Sequence, residues 1–199
     1  SLAGNMKGMS KGESTRSGML WEVERLLKEC KELPQILLME NVTQVHSKKN
    51  IDDLNAWIKS LEELGYTSFY EDMNAKNYAI PQNRNRTFMV SILNSFNNGN
   101  YTFPGGMQLE VRLKDFLEEN VDEKYYLSEK MVEYITASNE KWTGNNDQSL
   151  INKSIASTIN TGEGSKRCDA SNYFSENFSE DFDLKKVIKI NEATKKGYA

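Results

Sequence analysis

The segment ILLMENV, residues 36–42, most narrows what this chain can fold into. It is an almost continuous apolar run that follows a helical pattern, as expected of a strand covered on both faces. Before it, Leu20, Val23, Leu26, Leu27 and Cys30 recur at three- and four-residue spacing, with Glu22, Glu24, Lys28 and Lys31 on the other face. That spacing predicts an amphipathic helix from about Ser17, stopped by Pro34. After it, Leu54, Trp57, Ile58, Leu61 and Leu64 form a second stripe, with Asn50 and Asp53 as a capping arrangement and Gly65 as the C-terminal cap. Tyr66 to Met73 and Thr87 to Leu93 read as further strands, joined by NAKNYAIPQNRNR. Strand, helix, strand, loop, strand predicts an α/β sheet.

The character changes after Phe103-Pro104-Gly105-Gly106, and a domain boundary is expected near Pro104. Residues 1–104 form one domain on this reading, and 105–199 the beginning of a smaller one. Short helical patterns surround Leu113 to Leu117 and, capped by Ser128, Met131 to Ile135. A long polar stretch follows, with isolated apolar groups such as SIASTI and VIKI.

Charge and cysteine usage bound the function. With 25 Lys+Arg against 29 Asp+Glu, the net charge is -4, and a dedicated electrostatic nucleic-acid binder is usually basic. Between Glu110 and Asp147, however, acidic residues outnumber basic ones about two to one, so the negative charge sits mostly on one block. Cys30 and Cys168 form no metal-ligand pair, and no metal is expected. Without a secretory signal or an apolar run of the ~18–20 residues a membrane span needs, the chain reads as soluble, cytoplasmic and thiol-reduced.

Two short motifs carry chemistry. Glu40 ends the apolar strand, where an unpaired buried carboxylate would be costly. It is either a strand-end side chain pointing into solvent or part of a site, since ligands of α/β sheets bind beyond the carboxyl ends of strands. Arg84 and Arg86, in PQNRNR, stand two apart at the entry to a strand and should project to the same side. They form either a solvated turn or a fixed guanidinium fork for a carbonyl or phosphate oxygen.

The order of these segments, from SLAG through TRSGMLWEVERLL and PQILLMENV to NYAIPQNRNRTFMV, is similar to that of the DNA cytosine-5 methyltransferases. Glu40-Asn41-Val42 matches that family's ENV motif, and Gln82, Arg84 and Arg86 match its Gln-x-Arg-x-Arg motif. The resemblance covers about the first 104 residues. It implies the C-terminal half of a Rossmann-like methyltransferase sheet, followed by part of a target-recognition domain. It also implies methyl transfer from S-adenosylmethionine to a cytosine flipped out of duplex DNA. In that chemistry a cysteine thiolate attacks ring carbon 6, and the site must stabilise the charge that develops. By analogy Glu40 bonds ring nitrogen 3 and the exocyclic amine, carrying a proton to do so, while Arg86 holds the 2-keto oxygen and Arg84 supports the nucleotide. Asn41, Val42 and Gln82 line the substrate site. Ser1, Gly4, Lys7 and Arg16 belong to the mobile DNA-binding loop, though a frayed terminus reads equally well. Met19 lies where the family contacts its cofactor, or is a core methionine.

The resemblance places the Pro-Cys nucleophile just before Ser1, the cofactor's glycine loop further upstream, and the closing motifs beyond Ala199. The expectation is therefore a fragment with an incomplete S-adenosylmethionine pocket, inactive alone. The alternative is a non-catalytic DNA-binding or regulatory module derived from such an enzyme. A sheet cut at Ile36 to Val42 leaves an apolar edge, a template for the missing N-terminal half or for self-association across the face of Leu37, Met39 and the first helix. Cys30, Trp21 and Trp57 are expected in the core, His46 at the surface or behind the site, and Cys168 and Trp142 in polar segments.

Overall fold

The computed structural model describes residues 20–97, 99–118, 120–123, 126–130, 132, 151–158, 172–175 and 187–189. The expected helix of Met131 to Ile135 falls mostly outside these, as do Trp142 and Cys168. The chain divides into two compact units. The first comprises Ser1–Asn74 and Asn85–Gly106, the second Ala75–Arg84 and Met107–Ala199. The loop that precedes the last strand of the sheet thus packs with the second unit, although it lies within 1–104 in the sequence.

In the first unit, helix α1 (Leu20–Glu29) leads to strand β1 (Ile36–Asn41) and a 3-10 turn at Thr43–His46. Helix α2 (Ile51–Glu63) and strand β2 (Tyr66–Asn74) follow, and strand β4 (Asn85–Leu93) completes the sheet. The strand order is β1-β4-β2, with β4 antiparallel to both neighbours. Gly65 reverses the chain between α2 and β2 with φ at +89°, a conformation that L side chains rarely adopt.

Both helices contribute to one core with one face of the sheet. Leu27, Leu54, Trp57 and Leu61 pack with Val45, Tyr66 and Met89, and Leu37, Met39, Val42 and Leu93 lie against them. Trp21 and Trp57 meet edge to face at 5.9 Å. Thirteen residues suit α2 to this role, because its stripe keeps Leu54, Trp57 and Leu61 on one side.

Several expectations change here. β1 is covered on one face only: Ile36 and Leu38 are 60% and 70% exposed, while Leu37 and Met39 join the core. The face proposed for self-association is therefore the covered one, and the exposed apolar face is its opposite. Across that opposite face, Tyr101 packs on Phe69 at 5.4 Å and on Phe103 at 5.2 Å, leaving the β1 side open.

Helix α1 is also rotated from its sequence reading. Val23, Leu26 and Cys30 are exposed, and Glu24 is buried instead. The carboxylate of Glu24 accepts bonds from Ser60 of α2 at 2.9 Å and Lys28 at 2.7 Å, which makes its burial tolerable. Asn50 stands at the N-cap of α2, but its side chain makes no cap bond. It turns back instead, donating to the Gln44 carbonyl at 2.8 Å and binding the Ser47 hydroxyl.

In the second unit, β3 (Gln82–Asn83) pairs in parallel with β5 (Ala156–Ser157), and β6 (Tyr173–Ser175) pairs antiparallel with β7 (Val187–Lys189). The expected helix near Leu113 is a short 3-10 turn, Leu113–Phe116. The Val132 amide donates to the Ser128 carbonyl, as a helix starting at Ser128 would require. No described helix is long and apolar enough to cross a membrane.

Candidate active site

β1 and β4 run antiparallel with Glu40 opposite Phe88, which puts Arg86, two residues before Phe88 on β4, on the same face as Glu40. The two side chains meet there, Arg86 Nε to Glu40 Oε1 at 3.0 Å. The Arg86 side chain is 18% exposed and that of Glu40 43%, so the pair is open to solvent mainly from the carboxylate side. Arg86 also donates through Nη1 to the Asn85 carbonyl at 2.7 Å, which fixes its reach along the strand end.

Asn41 and Val42 shape the end of β1. The Asn41 side-chain oxygen accepts the Val42 amide at 2.9 Å, and Val42 packs against the helix-covered core. Val42 then leads into the 3-10 turn Thr43–His46, whose Val45 is fully buried.

The other motif residues lie in the second unit. Gln82 belongs to β3, and its amide donates to the Ile80 carbonyl at 2.7 Å. Arg84 precedes β4 rather than lying in it, so the same-side projection expected from two-residue spacing does not apply to it. Its carbonyl accepts the Ala75 amide at 3.0 Å, closing the base of the loop. Further bonds tie the loop to β5 and its neighbours: Ala156 amide to Pro81 carbonyl at 2.7 Å, and Thr158 hydroxyl to Asn83 carbonyl at 2.6 Å. Within it Ala79 has φ at 60°, a left-handed conformation uncommon for a residue with a Cβ. Ser1, Gly4, Lys7, Arg16 and Met19 fall outside the described residues.

The family profile of C-5 cytosine-specific DNA methylases matches residues 1–198. The chain belongs to that family. It is 41% identical over 132 residues to a type II methyltransferase, M2.ScrFI of Lactococcus lactis subsp. cremoris, covering 66% of this chain and 36% of that protein. It is 40% identical over 153 residues to the orphan methyltransferase M.SssI of Spiroplasma monobiae, covering 76% of this chain and 39% of that protein. This methylase chain therefore spans little more than a third of the length of these relatives.

Among solved structures, the Dnmt2 methyltransferase of S. pombe superposes with a TM-score of 0.60 at 20% identity, over 88% of this chain and 55% of that one. An Entamoeba histolytica methyltransferase superposes with a TM-score of 0.63 at 12% identity, over 86% of this chain and 52% of that one. Likeness at such identities speaks for the fold, a partial Rossmann-like methyltransferase sheet.

One polar group beside the methylase motifs escaped the sequence reading. Asp72 of β2 accepts bonds from Thr87 Oγ1 at 2.5 Å and from His46 Nε2, which is 3.0 Å from each carboxylate oxygen. The signal available in sequence was the alternation of β2, which puts Asp72 and Tyr70 on one face. Nothing in sequence announced that His46 would reach them.

Proposed function

We propose that this chain forms part of a DNA cytosine-5 methyltransferase, in which Glu40 and Arg86 grip a cytosine flipped from duplex DNA. The observation that carries the reading is their meeting at 3.0 Å on one face of adjacent strands. A carboxyl group and a guanidinium so placed can address the nitrogen 3 and carbonyl edge of one pyrimidine. Carrying a proton when the base is bound, Glu40 donates to ring nitrogen 3 and accepts from the exocyclic amine, and Arg86 donates to the 2-keto oxygen. Both interactions strengthen as the ring takes up negative charge on nucleophilic attack, which is when they lower the barrier. Without a base in place the two groups satisfy each other, so neither side chain loses its partner before substrate arrives.

Arg84 and Gln82, held by the backbone bonds of their loop, support the flipped nucleotide, and Asn41 and Val42 fix the end of β1 that carries Glu40. Ser1, Gly4, Lys7 and Arg16 belong to the loop that closes on DNA. S-adenosylmethionine, near Met19, supplies the electrophilic methyl group. Residues 105–199 begin the target-recognition domain. The nucleophile and the rest of the donor pocket come from another segment of the enzyme, which would cover the exposed face of Ile36 and Leu38. In its absence that face supports self-association.

The test joins this chain to a segment carrying a Pro-Cys nucleophile and a cofactor glycine loop, and follows transfer of labelled methyl from S-adenosylmethionine to duplex DNA. Methylated cytosine is the expected product, and its loss on replacing Glu40 supports the assigned role. DNA binding with no methyl transfer would favour a regulatory module that keeps the pocket as a relic.

A further inference from the structure

We propose that His46 is a positioning residue, which through Asp72 locks the turn after Glu40-Asn41-Val42 in register with the strand that carries Arg86. The proposal rests on the reading of Glu40 and Arg86 as the cytosine pocket. Asn41, Thr87 and Asp72 form one row across the three strands, Thr87 being the backbone partner of both. Glu40 and Arg86 each lie one residue from members of this row. The row is bonded laterally between β4 and β2, because Thr87, which is fully buried, donates its hydroxyl to Asp72.

His46 closes the remaining side. A carboxylate can only accept, so the imidazole Nε2 carries the hydrogen of the contact to Asp72. The ring also lies over Tyr70, two residues from Asp72 on β2, with centroids 6.2 Å apart and planes 27° apart. The turn Thr43–His46 begins directly after Val42, so pinning its last residue to β2 leaves little freedom for the end of β1. The chain thus runs from Glu40 through the turn to His46, across to Asp72, and through Thr87 back to Arg86. The pairing of β1 with β4 sets the register of the two pocket groups, and this ring braces the end of β1 that carries Glu40. A displacement near 1 Å at a reacting group can cost on the order of 100-fold in rate, so a brace of this kind matters to turnover without touching substrate.

The test uses the methyltransferase that contains this chain, with His46→Ala, His46→Gln, Asp72→Ala and the His46→Ala/Asp72→Ala pair. For His46→Ala and Asp72→Ala, kcat should fall about tenfold while KM for DNA stays within about twofold. The double variant should be no slower than Asp72→Ala, because that change already removes the acceptor of His46. His46→Gln, whose amide can donate to Asp72, should recover most of the rate. Amide hydrogen exchange, which is independent of activity, should quicken at residues 42–47 in His46→Ala and Asp72→Ala. Unchanged kcat in His46→Ala, or unchanged exchange at those amides, would overturn the proposal. Glu40→Gln is the control. If it is impaired while His46→Ala is not, the brace alone fails; if it turns over normally, the pocket reading fails and takes the brace with it.

Discussion

Arg86 on β4 and Glu40 on β1 are joined across the sheet, Nε to Oε1 at 3.0 Å, because the antiparallel register sets them diagonally on one face. With the carboxylate 43% exposed, such a pair contributes no more than about 1 kcal/mol to stability. A contact that weak is easily exchanged for another partner, as the proposed pocket requires.

Arg86→Lys should show this. Lysine keeps the charge but loses the planar fork, so it can salt-bridge Glu40 without holding a keto oxygen from a fixed direction. The expected outcome is a thermal midpoint close to that of the parent with methyl transfer reduced at least about tenfold. Turnover equal to that of the parent would show that only the charge of Arg86 is used.

Leu54 has no exposed surface and lies at the centre of the helix–sheet core. Leu54→Ala should destabilise the first unit by about 2–5 kcal/mol in urea unfolding, from lost burial and the cavity left behind. A loss under about 1 kcal/mol would mean that the core collapses around the gap.

Tyr66 gives the fold an alkaline limit. Burial first, and then the charge of the neighbouring Cys30, hold its phenol above the ordinary value of 10.0. Because folding raises this pKa, the stability it confers is complete below about pH 10 and is lost as pH rises through the folded value. Urea midpoints measured from about pH 8 to about pH 11 should therefore fall more steeply in the parent than in Tyr66→Phe. The variant should lose about 1 kcal/mol at neutral pH, since it no longer donates the 2.7 Å bond to the Pro34 carbonyl. Parallel slopes would remove Tyr66 from the alkaline transition.

Ile36 and Leu38 face outward at the sheet edge, 60% and 70% exposed. In the isolated chain, Ile36→Lys combined with Leu38→Thr should shift sedimentation at micromolar concentration toward monomer. A stable assembly needs at least about 1,000 Å² of interface, which such an edge and face can supply only while apolar. If parent and variant sediment alike as monomers, this face does not drive association.

The sequence made the elements legible where periodicity and punctuation agreed. The stripe of Leu54, Trp57 and Leu61 and the cap at Gly65 are where they were expected, and so is the sheet of β1, β2 and β4. Spacing was a poorer guide where one helix carries two apolar stripes. In α1, Val23 and Leu26 fit the period as well as Leu20 and Leu27, and the bonds from Ser60 and Lys28 allow Glu24 to face inward. Continuity of apolar residues likewise overstated the covering of β1, since Ile36 and Leu38 find no neighbour among the described residues comparable to the core of Leu37 and Met39. At the site, the resemblance implied that Glu40 and Arg86 address one base, and the two side chains do share a face. The His46–Asp72–Thr87 connection depends on how the turn folds back on β2, which no local pattern encodes.

The most direct measurement is single-turnover methyl transfer to a duplex in the enzyme containing this chain, comparing Glu40→Gln with the parent alongside DNA affinity. Glutamine keeps the size of the side chain and its ability to accept a hydrogen bond. It cannot offer nitrogen 3 an acidic proton as the ring takes up the nucleophile. A loss on the order of 3 kcal/mol or more in the transfer step, with DNA affinity little changed, is the predicted result. Transfer at the parental rate in a folded variant would contradict the assignment of Glu40 to the cytosine.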